Sequence, residues 1–276
     1  MPEKVDLRFD VIIPQFNLNG WVNSNVDLTK NYDKIIEKDI LIKDDKAKII
    51  YNKLQSDVLG TTIYKEKAEY DVDTNYEEEY SDSESTILIK YDDKIYSFKD
   101  GNQYYDFHGG SLEAFTNKAL TYDAVNKAES ISLIPVICNL KNKEADKLYD
   151  DSYNEESDEE TVDNVTYEKK FKFSDGKDGE ISKIERLEDK IKVYCNADTE
   201  KKSLLMAIGI EGWSTREDEN YNGEVGKIIY KNPNDEAGYI IEFTNVHKND
   251  VFNMYSNSEI LGQSDKFEFG QETKIK

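Results

Sequence analysis

The chain has 276 residues, 36 of them basic and 58 acidic, for a formal charge of −22. A surface so acidic repels phosphate backbones and anionic lipids, which argues against a nucleic-acid or membrane-surface protein. Hydrophobic residues make up 37% and include 19 Tyr and 11 Phe, enough to build packed cores, so the chain as a whole is not a disordered one.

The opening MPEKVDLRFD has no apolar signal core. No apolar run approaches the ~18 residues of a membrane-spanning helix, so any anchor would lie outside this sequence. Phe9, Val11 and Ile13 around Asp10 alternate as a half-buried strand does. Residues 66–84 hold nine acidic side chains against one lysine and predict a long exposed loop. Turn residues then come at short intervals, at Asp92-Asp93, Asp100-Gly101-Asn102 and Gly109-Gly110. Leu112 to Leu120 is the one stretch here expected to form a short helical turn.

Residues 144–160 repeat the nine-to-one acidic ratio, and mutual repulsion predicts an extended tether and a domain boundary. Beyond it, Phe171 and Phe173 stand between lysines. Ile191, Val193 and Cys195 alternate with Lys190, Lys192 and Tyr194, and Tyr239, Ile241 and Phe243 with Ile240, Glu242 and Thr244. Phe267 and Phe269 flank Glu268. Turns are expected at Asp175-Gly176, Asp178-Gly179, Asn222-Gly223 and Asn232-Pro233-Asn234. Roughly eight strands on each side of the tether predict an all-β fold of two tandem immunoglobulin-like antiparallel β-sandwich domains. They span residues 1–143 and 161–276, with 144–160 as the acidic linker.

Catalytic signals are scarce. His108 and His247 are the only histidines and fall in different proposed domains, each expected at a surface or turn. The run His108-Gly109-Gly110-Ser111 resembles an esterase oxyanion loop, but no G-x-S-x-G supplies a nucleophile. Phosphate-loop, dinucleotide and zinc motifs do not occur, so no cofactor and no enzymatic activity are expected. Cys138 and Cys195, each on a predicted strand, read as small buried apolar residues. Clustered carboxylates suit a hard cation, which makes Asp150, Asp151, Glu155, Glu156, Asp158, Glu159 and Glu160 weak candidate Ca²⁺ ligands. They lack the ligand spacing and turn glycine of an EF-hand loop. Trp21 and Trp213 each follow a glycine and are read either as interface anchors or as caps on the end of a sandwich.

Several phrases, in order, carry a family resemblance. They are FDVIIP (Phe9 to Pro14), VDLTKNY (Val26 to Tyr32), LGTTIYK (Leu59 to Lys65), YSFKDGNQYYDFHGGS (Tyr96 to Ser111) and AESISLIPVI (Ala128 to Ile137), followed by SKIERLEDKIKVYC, YIIEFTNVHKND and SDKFEF in the second half. Together they resemble the extracytoplasmic region of membrane-anchored, anti-sigma-factor-like proteins of Gram-positive bacteria, which carry immunoglobulin-like domains of unknown function. The resemblance implies a non-catalytic sensing or binding region outside the cell membrane, reaching a protein, peptide or envelope ligand. The alternative is a structural or adhesive cell-surface β-sandwich with Ca²⁺ as a candidate ligand. A deep pocket with convergent polar groups would instead mark an enzyme.

Overall fold

The computed structural model describes residues 4–13, 18–27, 34–46, 48–67, 76–80, 86–105, 111–147, 159–161, 169–173, 175–216, 219–223, 225–256 and 263–276. Among the described residues the fold is mostly β, with every strand pairing antiparallel and three short helices. β1 (Lys4–Ile13) and β2 (Leu18–Asp27) form a two-stranded ribbon in continuous register from Lys4↔Asp27 to Ile13↔Leu18. A five-stranded sheet follows, built from β3 (Ile36–Asp44), β4 (Ile49–Ser56), β5 (Thr61–Lys67), β8 (Lys99–Tyr105) and β9 (Ser111–Asn117) in the order β3-β4-β5-β9-β8.

The largest sheet has ten strands and draws on both halves of the chain. Its first-half members are β6 (Thr86–Tyr91), β7 (Lys94–Ser97) and β10 (Ile131–Cys138). The second half supplies β12 (Lys169–Lys172), β13 (Asp178–Arg186), β14 (Lys190–Ala197), β17 (Gly226–Lys231), β18 (Tyr239–Thr244), β20 (Phe267–Phe269) and β21 (Thr273–Lys274). The order is β12-β13-β14-β18-β17-β7-β6-β10-β20, with β21 also on β10. Two joints therefore cross between the halves. One is β17 on β7, with Ile229 opposite Ile95 and Tyr230 opposite Lys94. The other is the C-terminal stretch on β10, where Val136 faces Phe269 and Leu133 faces Thr273.

Two apolar interiors lie on opposite faces of this sheet, offset along it. On one face Leu88, Ile95, Val136 and Cys138 join Ile229, Ile241, Phe243, Val193 and Ile191. This interior is closed by α3 (Glu200–Gly209) and by a four-stranded sheet, of which β15 (Ile210–Arg216) and β19 (Val251–Ser256) supply Ile210, Phe252 and Met254. On the opposite face Ile87, Ile89, Tyr96, Ile131 and Leu133 pack beneath the five-stranded sheet and α1 (Tyr122–Lys127), meeting Ile49, Leu54, Ile63 and Val125. β6 and β10 thus send alternate side chains into both interiors, and strands covered on both sides read as continuous apolar runs such as ISLIPVIC.

Several local expectations change. Leu112 to Leu120 is mostly β9, a strand whose register with β5 pairs Ile63 with Phe115. Asp178-Gly179 opens β13 instead of turning, since Gly179 must pass close to the helix: a Cβ there would stand 2.5 Å from Met206 Sδ. Asp100-Gly101-Asn102 sits inside β8, where the register shifts between Lys99 and Gly101, so this turn signal marks a bulge. The acidic run at 144–160 is not wholly a tether. Residues 142–147 form a helical turn (α2) that buries Ala145, and Glu159–Thr161 form β11 against β19. The helix α3 escaped the sequence reading because five consecutive residues, Ser203 to Ala207, are buried, which leaves no polar face to mark a period. Its legible signal is the cap, where the Thr199 side chain accepts a hydrogen bond from the Lys202 backbone N–H at 3.3 Å.

Because Ile95 belongs to the first half but lies in the interior closed by the second, Ile95→Ala is expected to lower the stability of the whole chain by about 2–5 kcal/mol in one transition. A urea denaturation followed by tryptophan and by backbone signals checks this. A transition of residues 161–276 indifferent to the substitution would show that the joint does not couple the halves.

Candidate binding face

The face that carries the second interior continues past β7 onto β17, β18, β14 and β13, where the five-stranded sheet no longer supplies the buried residues. Register there aligns one residue from each strand into a row. Lys183 of β13 faces Tyr194 of β14, Tyr194 faces Ile240 of β18, Ile240 faces Tyr230 of β17, and Tyr230 faces Lys94 of β7. The result is a Lys-Tyr-Ile-Tyr-Lys line across five strands, roughly 19 Å long at the usual spacing between strands. Ile240 is 4% exposed yet belongs to neither interior, and its row neighbours are the two tyrosines.

The polar groups beside the row are held by one another. Glu242 accepts hydrogen bonds from Lys190 Nζ at 3.1 Å and from the Tyr230 hydroxyl at 3.3 Å, with Lys192 Nζ 3.7 Å away. Glu185 accepts from the Tyr194 hydroxyl at 2.7 Å and from Lys183. The Lys183 ammonium stands over the Tyr194 ring at 5.2 Å and that of Lys192 over the Tyr230 ring at 5.9 Å. These contacts set the titration of the face. Burial, then the Glu185 carboxylate, pushes the Tyr194 phenol up to about 12. Burial likewise raises Tyr230, and the Tyr230 hydroxyl holds the Lys192 ammonium above its ordinary value. Glu185 is drawn down, chiefly by Lys183 and then by Tyr194. Where the row meets the second interior, burial lifts Tyr96 to about 12.

The residues singled out from sequence do not gather here. Asp150, Asp151, Glu155, Glu156 and Asp158 lie outside the described residues. Glu159 and Glu160 stand in β11 opposite Tyr255 and Met254, with side chains outside the description. Among the described residues no three His, Cys, Asp or Glu side chains are grouped to hold a metal ion. His108 with its glycines is likewise outside the description. His247 is exposed in a turn, its backbone N–H donating to Asp250 Oδ2 at 2.9 Å. The carbonyls of His247, Lys248 and Asp250 accept from Arg186 Nη1, at 3.3, 3.0 and 2.9 Å, which ties that turn to the end of β13. Cys138 and Cys195 form no disulfide and are buried in the first interior, where burial raises the Cys195 thiol to about 12. Trp213 is half-buried in β15 opposite Asn253, and Trp21 lies in β2 opposite Asp10.

Sequence reasoning put Lys190, Lys192 and Tyr194 on the wet side of a strand but missed the row. Of the row's five residues, Tyr230 and Lys94 join the line only through the β17–β18 and β17–β7 registers. No protein-family model matches the chain, and no curated protein does so either.

The raised phenols fix a pH response. A group whose folded pKa lies above its unfolded value of about 10 contributes stability that is complete below pH 10 and is lost as pH rises through the folded value. Tyr194 and Tyr96, both near 12, and the raised Lys192 all act in this direction. The denaturation midpoint is therefore expected to hold from pH 7 to 9 and to fall between about pH 10 and 12. Tyr194→Phe should flatten part of that fall, and an identical alkaline profile in the variant would contradict the assignment.

Proposed function

We propose that the chain is a non-catalytic, extracytoplasmic binding or sensing region of a membrane-anchored, anti-sigma-factor-like regulator, made of tandem immunoglobulin-like units that share the large sheet. The observation that carries the binding reading is the Lys-Tyr-Ile-Tyr-Lys row, aromatic and charged side chains aligned by register across five strands of the large sheet. A rigid platform of this kind favours recognition, because little side-chain freedom is lost when a ligand arrives. The extracytoplasmic setting and the regulatory role come from the phrases that resemble the anti-sigma-factor-like family. No helix among the described residues is long and apolar enough to cross a membrane, so in this reading the anchor is carried elsewhere in the protein.

Two measurements test the proposal. In intact producing cells, a membrane-impermeant amine label is expected to mark the chain without lysis; labelling only after lysis would remove the extracytoplasmic setting. In the full-length protein, Tyr194→Ala with Tyr230→Ala is expected to leave protein levels near normal and to abolish the transcriptional response of the cognate sigma factor. A response that persists unchanged would sink the sensing role of this face.

A further inference from the structure

We propose that the strap formed by residues 264–276 exchanges between two copies of this chain, so that β10 of each copy is completed by β20 and β21 of the other. The proposal concerns self-association and does not depend on the binding face described above.

The exchangeable joint is written into β10 itself. Pro135 stands in the middle of that strand, and its carbonyl accepts from the Gly270 N–H at 2.8 Å. The N and O of one strand residue point to the same side, so the N–H that Pro135 lacks is also missing on the strap side. The pairing of Pro135 with Ile87 on β6 loses no hydrogen bond by it. Proline within a sheet is confined to edges with its nitrogen turned outward, and by that rule β10 is an edge strand. The strap covers this edge in two short pieces, pairing with Val136, Ile137 and Cys138 on one side of the proline and with Ser132 and Leu133 on the other. Its ends are fastened by Asn139 N–H to the Lys266 carbonyl at 2.7 Å and by Ile275 N–H to the Ile131 carbonyl at 2.7 Å. An apolar edge as long as ISLIPVIC needs such a cover, but nothing in the pairing requires the cover to come from the same copy.

Side-chain fit selects the occupant. Phe267 enters the first interior and Ile275 packs against the second. Between them a Cβ on Gly270 would lie 2.9 Å from Pro135 Cγ, so the segment that crosses the proline is held to glycine at that point. A replacement strand therefore needs an aromatic residue shortly before the glycine and an aliphatic one beyond it. A second copy supplies this pattern at every position, together with Glu268 for Lys46 and Glu272 for Lys90, pairs that stand at 2.9 and 3.6 Å. An unrelated peptide meets it only by coincidence.

Exchange of an identical element remakes every contact it breaks, so the strap's ion pairs and apolar contacts cancel from the balance. Two opposing effects remain. A strap on its own chain has an effective concentration of roughly millimolar order, against which a second copy competes. Two chains of formal charge −22 also repel, and salt screens that repulsion beyond about 10 Å at 0.1 M. Exchange is therefore expected as protein concentration approaches the millimolar, and it increases with ionic strength. An association held by ion pairs between copies would respond to salt in the opposite direction.

The test uses two variants of the whole chain, each with one added thiol. Ser132 and Lys274 are register partners across the β10–β21 joint, at a spacing that a disulfide bridges. In a mixture of Ser132→Cys chains with Lys274→Cys chains, no chain can close that bond on itself, whereas exchange brings the two thiols together. Cys138 and Cys195 are buried and common to every variant. At about 0.5 mM protein, a concentration near the effective one of the strap, mild oxidation is expected to give a covalent heterodimer. Its yield should exceed at least tenfold that of a control mixture of Ser132→Cys with Lys248→Cys, whose added thiol lies in an exposed turn. The yield should also rise with salt, and Pro135→Ala, which restores the missing donor, should slow its formation at least threefold. Sedimentation of the unsubstituted chain at the same concentration provides a readout free of any variant, with a dimer expected that dissociates slowly on dilution. No heterodimer, an equal yield in the control mixture, a yield that falls with salt, an unchanged rate in Pro135→Ala, or an unsubstituted chain that stays monomeric would each overturn the proposal.

Discussion

Burial on both faces of β6, β10 and β17 is the constraint on which the rest of the structure depends. Leu88 and Ile95 enter one interior while Ile87, Ile89 and Tyr96, a residue away, enter the other. On β17, Ile229 belongs to the first interior and Ile228 packs against the second. Because side chains alternate with a period of two, a slip of one residue in any of these strands would exchange the contents of the two interiors. The pairing of Ile229 with Ile95 is therefore fixed from both sides at once, and it holds the Lys-Tyr-Ile-Tyr-Lys row in line.

The buried lysines Lys65 and Lys227 are matched by partners, as low-dielectric surroundings require. Lys227, on the first-interior side of β17, donates to the Ile208 carbonyl at 2.6 Å, near the end of α3, and pairs with Glu211 at 3.0 Å. Lys65 of β5 pairs at 2.9 Å with Glu113, its register partner on β9. Both lysines are almost wholly buried, so their pairing offsets the cost of taking an ammonium group out of water. The surface ion pairs of this acidic chain are worth far less individually, and the charge excess acts mainly on solubility and on which partners approach.

The alternation in residues 190–195 was legible in the sequence: Ile191, Val193 and Cys195 are buried, and Lys190, Lys192 and Tyr194 half-buried. Tyr239, Ile241 and Phe243 follow the same rule, but Ile240, assigned to the wet face, is covered as well, because its neighbours across the ladder are two tyrosines. That cover depends on strands distant in sequence, which a local period cannot report. The same limit hid the pairing of the last residues with β10, where Ile275 N–H donates to the Ile131 carbonyl at 2.7 Å. Gly101 and Gly179 misled for a different reason: both supply close backbone approach or a bulge inside a strand, roles that share the composition of a turn.

The crossing joints also impose an order of events on biosynthesis. β7 and β10 leave the ribosome early, yet the strands that complete them, β17 and β20, lie far downstream. At synthesis rates of about 5–20 residues per second, their edges wait on the order of ten seconds for partners. Throughout that interval Leu88, Ile95, Val136 and Cys138 lack the second-half residues with which they form the first interior. Completion of the large sheet is therefore governed by the arrival of the final strands.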